Sequence, residues 1–85
     1  MRSTRSRPAE RRDQALRNRV RELRTAAELT QAALAERVGV TRQTIIAIER
    51  GGYVPSVALA LQVARELSEP VERVFWLGPS EGDLA

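Results

Sequence analysis

Thr41, Arg42, Gln43 and Thr44 stand together at the head of a short apolar-periodic run, and their side chains suit recognition rather than catalysis. The first turn of a helix directs unpaired backbone N–H groups and a positive dipole end outward, which favours a nearby phosphate. An arginine in that turn can fork onto O6 and N7 of a guanine, and a glutamine can pair with N6 and N7 of an adenine. Thr41 is an N-cap type, as is Thr30 before the preceding run. Arg50 follows the run beside Gly51 and Gly52, where backbone N–H groups and a cation can together meet a phosphate. The bland alternative for Thr41 to Thr44 is a solvated polar helix face.

Catalytic chemistry is poorly served. The chain has neither cysteine nor histidine, so it lacks the usual nucleophile, general base and zinc ligands. It has no phosphate-cradling glycine loop and no acidic cluster. The expectation is a non-enzyme with no metal, no cofactor and no evident small-molecule substrate.

The elements that position these residues can be read from spacing. Ala33, Leu34, Ala35 and Val38 follow Thr30 at helical intervals, and Ile45 and Ile48 follow Thr41 on one face. Gly39 breaks the pattern between them and Val40 plugs the turn. Ala35 and Gly39 are the small residues expected to permit close approach of two steeply crossed helices. The second of these helices keeps Arg42, Gln43, Ile46 and Ala47 on its other face. Upstream, Leu16, Val20, Leu23 and Ala27 predict a first helix that also carries Arg17, Arg21 and Arg24. Downstream, Gly51 supplies a C′ glycine and Tyr53-Val54-Pro55 a loop. Ser56 caps a fourth helix with Leu59, Val63 and Leu67 on its core stripe and Ala60 and Ala64 beside it. Pro70 suits the first turn of a short fifth helix carrying Val71, Val74 and Phe75, stopped by Gly78-Pro79.

The run from Leu29 to Gly51, LTQAALAERVGVTRQTIIAIERG, resembles the Xre/Cro family of lambda-repressor-like DNA-binding domains, and the likeness extends from about Asn18 to Leu77. The resemblance implies an all-α, compact five-helix bundle whose third helix enters the major groove of double-stranded DNA. It makes Arg42, Gln43, Ile46 and Ala47 the base-reading residues, and Thr30, Gln31, Thr41, Thr44 and Arg50 the phosphate contacts. Gln31 is the family's glutamine that bonds a backbone phosphate and braces the reading helix. Ile46 and Ala47 depart from the polar residues usual there: Ile46 either meets a thymine methyl or belongs to the core edge or a partner contact. Arg24 and Glu49 resemble the structural ion pair that ties the first helix to the third. Small proteins of this type commonly dimerise through the C-terminal helix, which makes Val71, Phe75, Trp76 and Leu77 the expected interface. For Trp76 the competing reading is that it folds over its own core.

The implied function is a transcriptional regulator, usually a repressor in this family, binding a pseudo-palindromic operator as a homodimer. The alternative is an antitoxin-like or adaptor protein whose helix-turn-helix holds a protein partner. Eighty-five residues allow one domain, expected over residues 15–77. An arginine-rich tail over 1–14, expected to be disordered, and a polar tail over 78–85 would flank it. Residues 1–25 hold nine arginines against Glu10, Asp13 and Glu22, a balance of +6 within a net +3. Arg2, Arg5, Arg7, Arg11 and Arg12 of the tail could follow a DNA backbone, and Arg19 and Arg21 could help on the first helix. No stretch approaches the roughly 18–20 apolar residues of a membrane span, and no apolar signal region follows the N-terminal arginines. The expected location is cytoplasmic, on the nucleoid.

Overall fold

The computed structural model describes residues 15–78, so the tail arginines Arg2 to Arg12 and the end of the C-terminal tail lie outside the described residues. Five helices follow one another: α1 (Val20–Ala26), α2 (Gln31–Val38), α3 (Arg42–Glu49), α4 (Val57–Glu66) and α5 (Val71–Val74). They are bracketed by two short strands, β1 (Leu16–Asn18) and β2 (Phe75–Leu77). The mostly helical five-helix fold is as the spacing predicts. The strands are an addition to it.

The caps explain why the helices start where they do. The side chains of Thr30, Thr41 and Ser56 accept hydrogen bonds from the N–H groups of Ala33, Thr44 and Leu59, each three residues on. At the other end of α2, Gly39 adopts φ +78°. Its N–H donates to the Glu36 carbonyl and the Val40 N–H to the Ala35 carbonyl, at 3.3 and 3.0 Å, which is the Schellman closure. A Cβ built on Gly39 would meet nothing within 4 Å. The glycine is therefore required by its left-handed backbone and not, as expected, by a close helix approach. Ala35, 3% exposed, is the small residue that lies within the packed crossing.

The same closure ends α3 at Gly51, with Gly51 and Gly52 donating to the Ile48 and Ala47 carbonyls. It also ends α1 and α4, where Glu28 (φ +61°) and Ser68 (φ +59°) occupy the left-handed position. Those two side chains carry a steric cost that glycine avoids.

The core is one cluster. Leu34, Ile45, Ile48, Val20, Val63 and Val74 are its largest fully buried side chains, with Leu59, Leu67 and Phe75 around them. Burying each Leu, Ile, Val or Phe contributes about 1.5–3 kcal/mol. Leu59, Val63 and Leu67 form the expected stripe of α4, and Val40 packs against the cluster from the turn.

Two boundaries differ from expectation. Leu16 stands four residues before Val20, which reads as helical spacing, yet the helix begins at Val20 and Leu16 lies in β1. The cause is Asn18, whose Oδ1 accepts the Val20 N–H at 2.9 Å, while the Arg19 N–H leaves for the Val74 carbonyl at 3.0 Å. At the far end, Phe75 is extended (φ −130°, ψ 140°) and not the last residue of α5. It pairs with Asn18 in an antiparallel ribbon that also aligns Arg17 with Trp76 and Leu16 with Leu77. Strand side chains alternate between faces. Phe75 turns into the core, and Trp76 lies half-buried on the opposite face of the ribbon.

Candidate nucleic-acid interface

Helix α3 is held from behind and open in front. Ile45 and Ile48 are 0% and 1% exposed, so the helix cannot rotate without emptying the core. Arg42 and Gln43 then project outward at its N-terminus, beyond the Thr41 cap. The Thr41 and Thr44 hydroxyls lie 3.1 Å apart and stiffen that first turn. Ile46 and Ala47 are half-buried on the flank.

A groove of about 550 Å³ runs along this face, lined by Arg21, Arg24, Thr30, Gln31, Arg42, Ile46, Glu49 and Arg50. It brings together five of the residues expected to contact DNA: Thr30, Gln31, Arg42, Ile46 and Arg50. Gln43, Ala47, Thr41 and Thr44 lie outside its lining. Ile46 is therefore a groove residue among cations and polar groups, not a member of the buried core.

Glu49 places a carboxylate in this groove, and its neighbours neutralise it. Arg24 donates through Nε to Glu49 Oε2 at 2.7 Å and through Nη2 to Oε1 at 3.4 Å. Gln31 Nε2 adds a bond to Oε1 at 3.1 Å. The Arg24 and Glu49 side chains are only 12% and 5% exposed, and Arg24 Nη1 also donates to the Leu29 carbonyl at 2.8 Å. One buried ion pair thus joins α1, the α1–α2 connection, the start of α2 and the end of α3. Arg21, Arg42 and Arg50 are left to give the groove its positive charge. A groove of that sign, beside an exposed helix N-terminus, suits a polyanion.

Sequence reasoning missed Asn18. Besides holding the Val20 N–H, its Nδ2 donates to the Ile48 carbonyl at 2.9 Å, fixing the last turn of α3 from the ribbon side. An asparagine just before an apolar run is an N-terminal signal, but counting Leu16 into the helix concealed it. The stacking of the Arg19 guanidinium over Trp76, 4.7 Å from the ring centroid, was likewise invisible. Of the four residues expected between two copies, Phe75 is a core residue of its own chain and Val71 packs against that core. Trp76 is half-buried, and Leu77 is 62% exposed.

Comparison with known proteins agrees with this geometry. A helix-turn-helix family model matches residues 20–74. YgzD, an uncharacterized HTH-type transcriptional regulator of Bacillus subtilis, is 52% identical over 62 residues, 73% of this chain and 94% of its own length. An uncharacterized HTH-type transcriptional regulator of Methanothermobacter thermautotrophicus is 56% identical over 63 residues, 73% of this chain and 91% of its own length. The crystal structure of the restriction-modification controller protein C.AhdI from Aeromonas hydrophila matches with a TM-score of 0.60 and 35% identity, over 64% of this chain and 78% of that one. With α3 packed, capped and flanked by arginines, the chain belongs to the helix-turn-helix family of DNA-binding transcriptional regulators, which are not enzymes.

Proposed function

We propose that the protein is a repressor that binds a pseudo-palindromic operator as a homodimer, with α3 in the major groove. The observation that carries this reading is the division of α3 into a fully buried face, Ile45 and Ile48, and an exposed N-terminal turn bearing Arg42 and Gln43. Arg42 and Gln43 read base edges, while Ile46 and Ala47 offer apolar contacts of the kind that thymine methyls accept. Thr30, Gln31, Thr41, Thr44 and Arg50 hold the flanking phosphates, which position the helix without reading sequence. Arg24 and Glu49 keep α3 at a fixed angle.

The domain is residues 15–77, with 1–14 and 78–85 as tails. Two-fold symmetry sets the two reading helices about 34 Å apart, one turn of DNA. Leu77 is the exposed member of the contact between copies, with half-buried Trp76 beside it and Val71 at its edge. The likeness to a restriction-modification controller supports a regulatory role. Among the described residues no helix is long and apolar enough to cross a membrane, and the proposed location is the nucleoid.

Selection of bound duplexes from a random pool tests this reading, because it returns half-site, spacing and symmetry together. The expected product is an inverted repeat. Arg42→Ala combined with Gln43→Ala should abolish preference for it, since each bidentate pair contributes about 1–3 kcal/mol of discrimination. An unselective pool, or a repeat still preferred by the double variant, would remove α3 from the reading role.

A second reading, a protein-binding adaptor or antitoxin, draws support from Val54, Val57 and Leu61, which are 71%, 76% and 51% exposed. It predicts duplex affinity that is weak and indifferent to salt.

A further inference from the structure

A second groove, about 760 Å³, adjoins the first, and Arg21, Glu49 and Arg50 line both. It continues past the end of α3 to the β-ribbon, where Arg17, Arg19 and Trp76 form its far side. Four arginines face it, Arg17, Arg19, Arg21 and Arg50, against Glu22 and Glu49. Glu49 is already neutralised by Arg24, so arginines outnumber the remaining carboxylate, Glu22, along the groove.

Its two outermost cations are held in place. Arg17 Nε donates to the Gly78 carbonyl at 3.1 Å across the ribbon, and the Arg19 guanidinium rests on the Trp76 ring. Holding an arginine in advance lowers the entropy lost when it meets its ligand. The ribbon register sets both, because it pairs Arg17 with Trp76 on the face turned away from the core. Arg17, Arg19 and Trp76 all lie outside residues 20–74, the span of the family model. These cations thus flank the span that the family model matches.

We propose that the β-ribbon is a second DNA contact, a clamp for the sugar–phosphate backbone that leaves the read major groove along Arg50 and Arg21 and continues onto Arg19 and Arg17. Trp76 is the positioning residue that holds Arg19 flat. The ligand is a phosphodiester chain and not an acidic polypeptide, because the cationic track is continuous with the reading face and shares Arg21 and Arg50 with it. The inference rests on the DNA-binding reading and lengthens its footprint without adding base recognition.

The test uses the full chain on the operator duplex recovered by selection. Arg17→Gln with Arg19→Gln should make the plot of log affinity against log salt shallower by about 0.9 for each phosphate that is no longer neutralised. Affinity should fall at low salt while base preference stays unchanged. Arg19→Lys, which keeps the charge but not the planar stack, should retain most of the slope. Ethylation interference on the unaltered protein needs no variant, and should mark phosphates on the ribbon side of α3, outside the base pairs that it reads. A double variant, folded by circular dichroism, with the parent's slope and affinity overturns the clamp, as does interference confined to the base pairs that α3 reads. That result alongside abolished selectivity in Arg42→Ala leaves the regulator reading intact and gives the groove to another anionic partner. Salt-indifferent, weak binding by the parent protein would remove both.

Discussion

The helix-turn-helix and the β-ribbon meet at the last turn of α3, and they are built on opposite principles. In residues 30–51 each cap lies beside what it caps: Thr30 three residues before Ala33, Thr41 three before Thr44, Gly51 three after Ile48. The ribbon joins residues that are remote in the chain, such as Arg17 and Gly78, 61 positions apart. The family model spans α1 to α5 and stops where the strands begin. The local unit is thus the part that the family model covers, and the long-range ribbon brings Arg17 beside it.

One polar link joins the two regions directly, Asn18 to Ile48, and a second, Arg24 with Glu49, ties α3 to α1 beside it. Breaking each should loosen α3 by a different amount. The largest effect is expected at Glu49. Glu49→Ala leaves Arg24 nearly buried without its carboxylate, a loss of about 3–5 kcal/mol for a pair broken on one side. Chemical denaturation should report it, and a cost under about 1 kcal/mol would mean that the bracket does not hold α3.

Asn18→Ala comes next. It strips the Val20 N–H of its acceptor and the Ile48 carbonyl of a donor, at about 1–3 kcal/mol for a polar group left without its partner. Hydrogen exchange should show where that loss falls. The Arg19 amide, bonded to Val74, should lose protection more than amides within α2. Equal loss in both would show that ribbon and helices open as one unit.

The smallest effect has the opposite sign. Glu28→Gly relieves a left-handed residue in the closure of α1, and should stabilise by about 1 kcal/mol at most, once the extra backbone freedom of glycine in the unfolded chain is counted. A raised urea midpoint with unchanged slope is the expected readout. A lowered midpoint would mean that the Glu28 side chain contributes more than its backbone costs.

Much of the helical unit is legible because its signals are local. Thr30, Thr41 and Ser56 are caps at the head of periodic runs, and Ile45 and Ile48 declare a buried face by spacing alone. Arg24 and Glu49 are not neighbours, and only resemblance implies their pairing. The ribbon escapes such a reading because three-residue strands are too short to show alternation. Leu16 also happens to fall in phase with Val20 and Leu23 of α1. Spacing locates Gly39 correctly but suggests the wrong reason for it, since only the backbone angle and the empty space around it distinguish a turn requirement from a packing one.

By itself, the sequence determined the five helices, the turn between α2 and α3, and the residues that α3 turns outward, because helix periodicity and capping act within a few positions. Only the tertiary structure decided that Phe75 enters the core while Trp76 lies outside under Arg19. It also decided that Asn18 holds α3 and that the ribbon arginines continue the groove beside Arg50. Those outcomes depend on which distant backbone groups satisfy each other's hydrogen bonds, and a strand's partner sets which face each of its side chains must take.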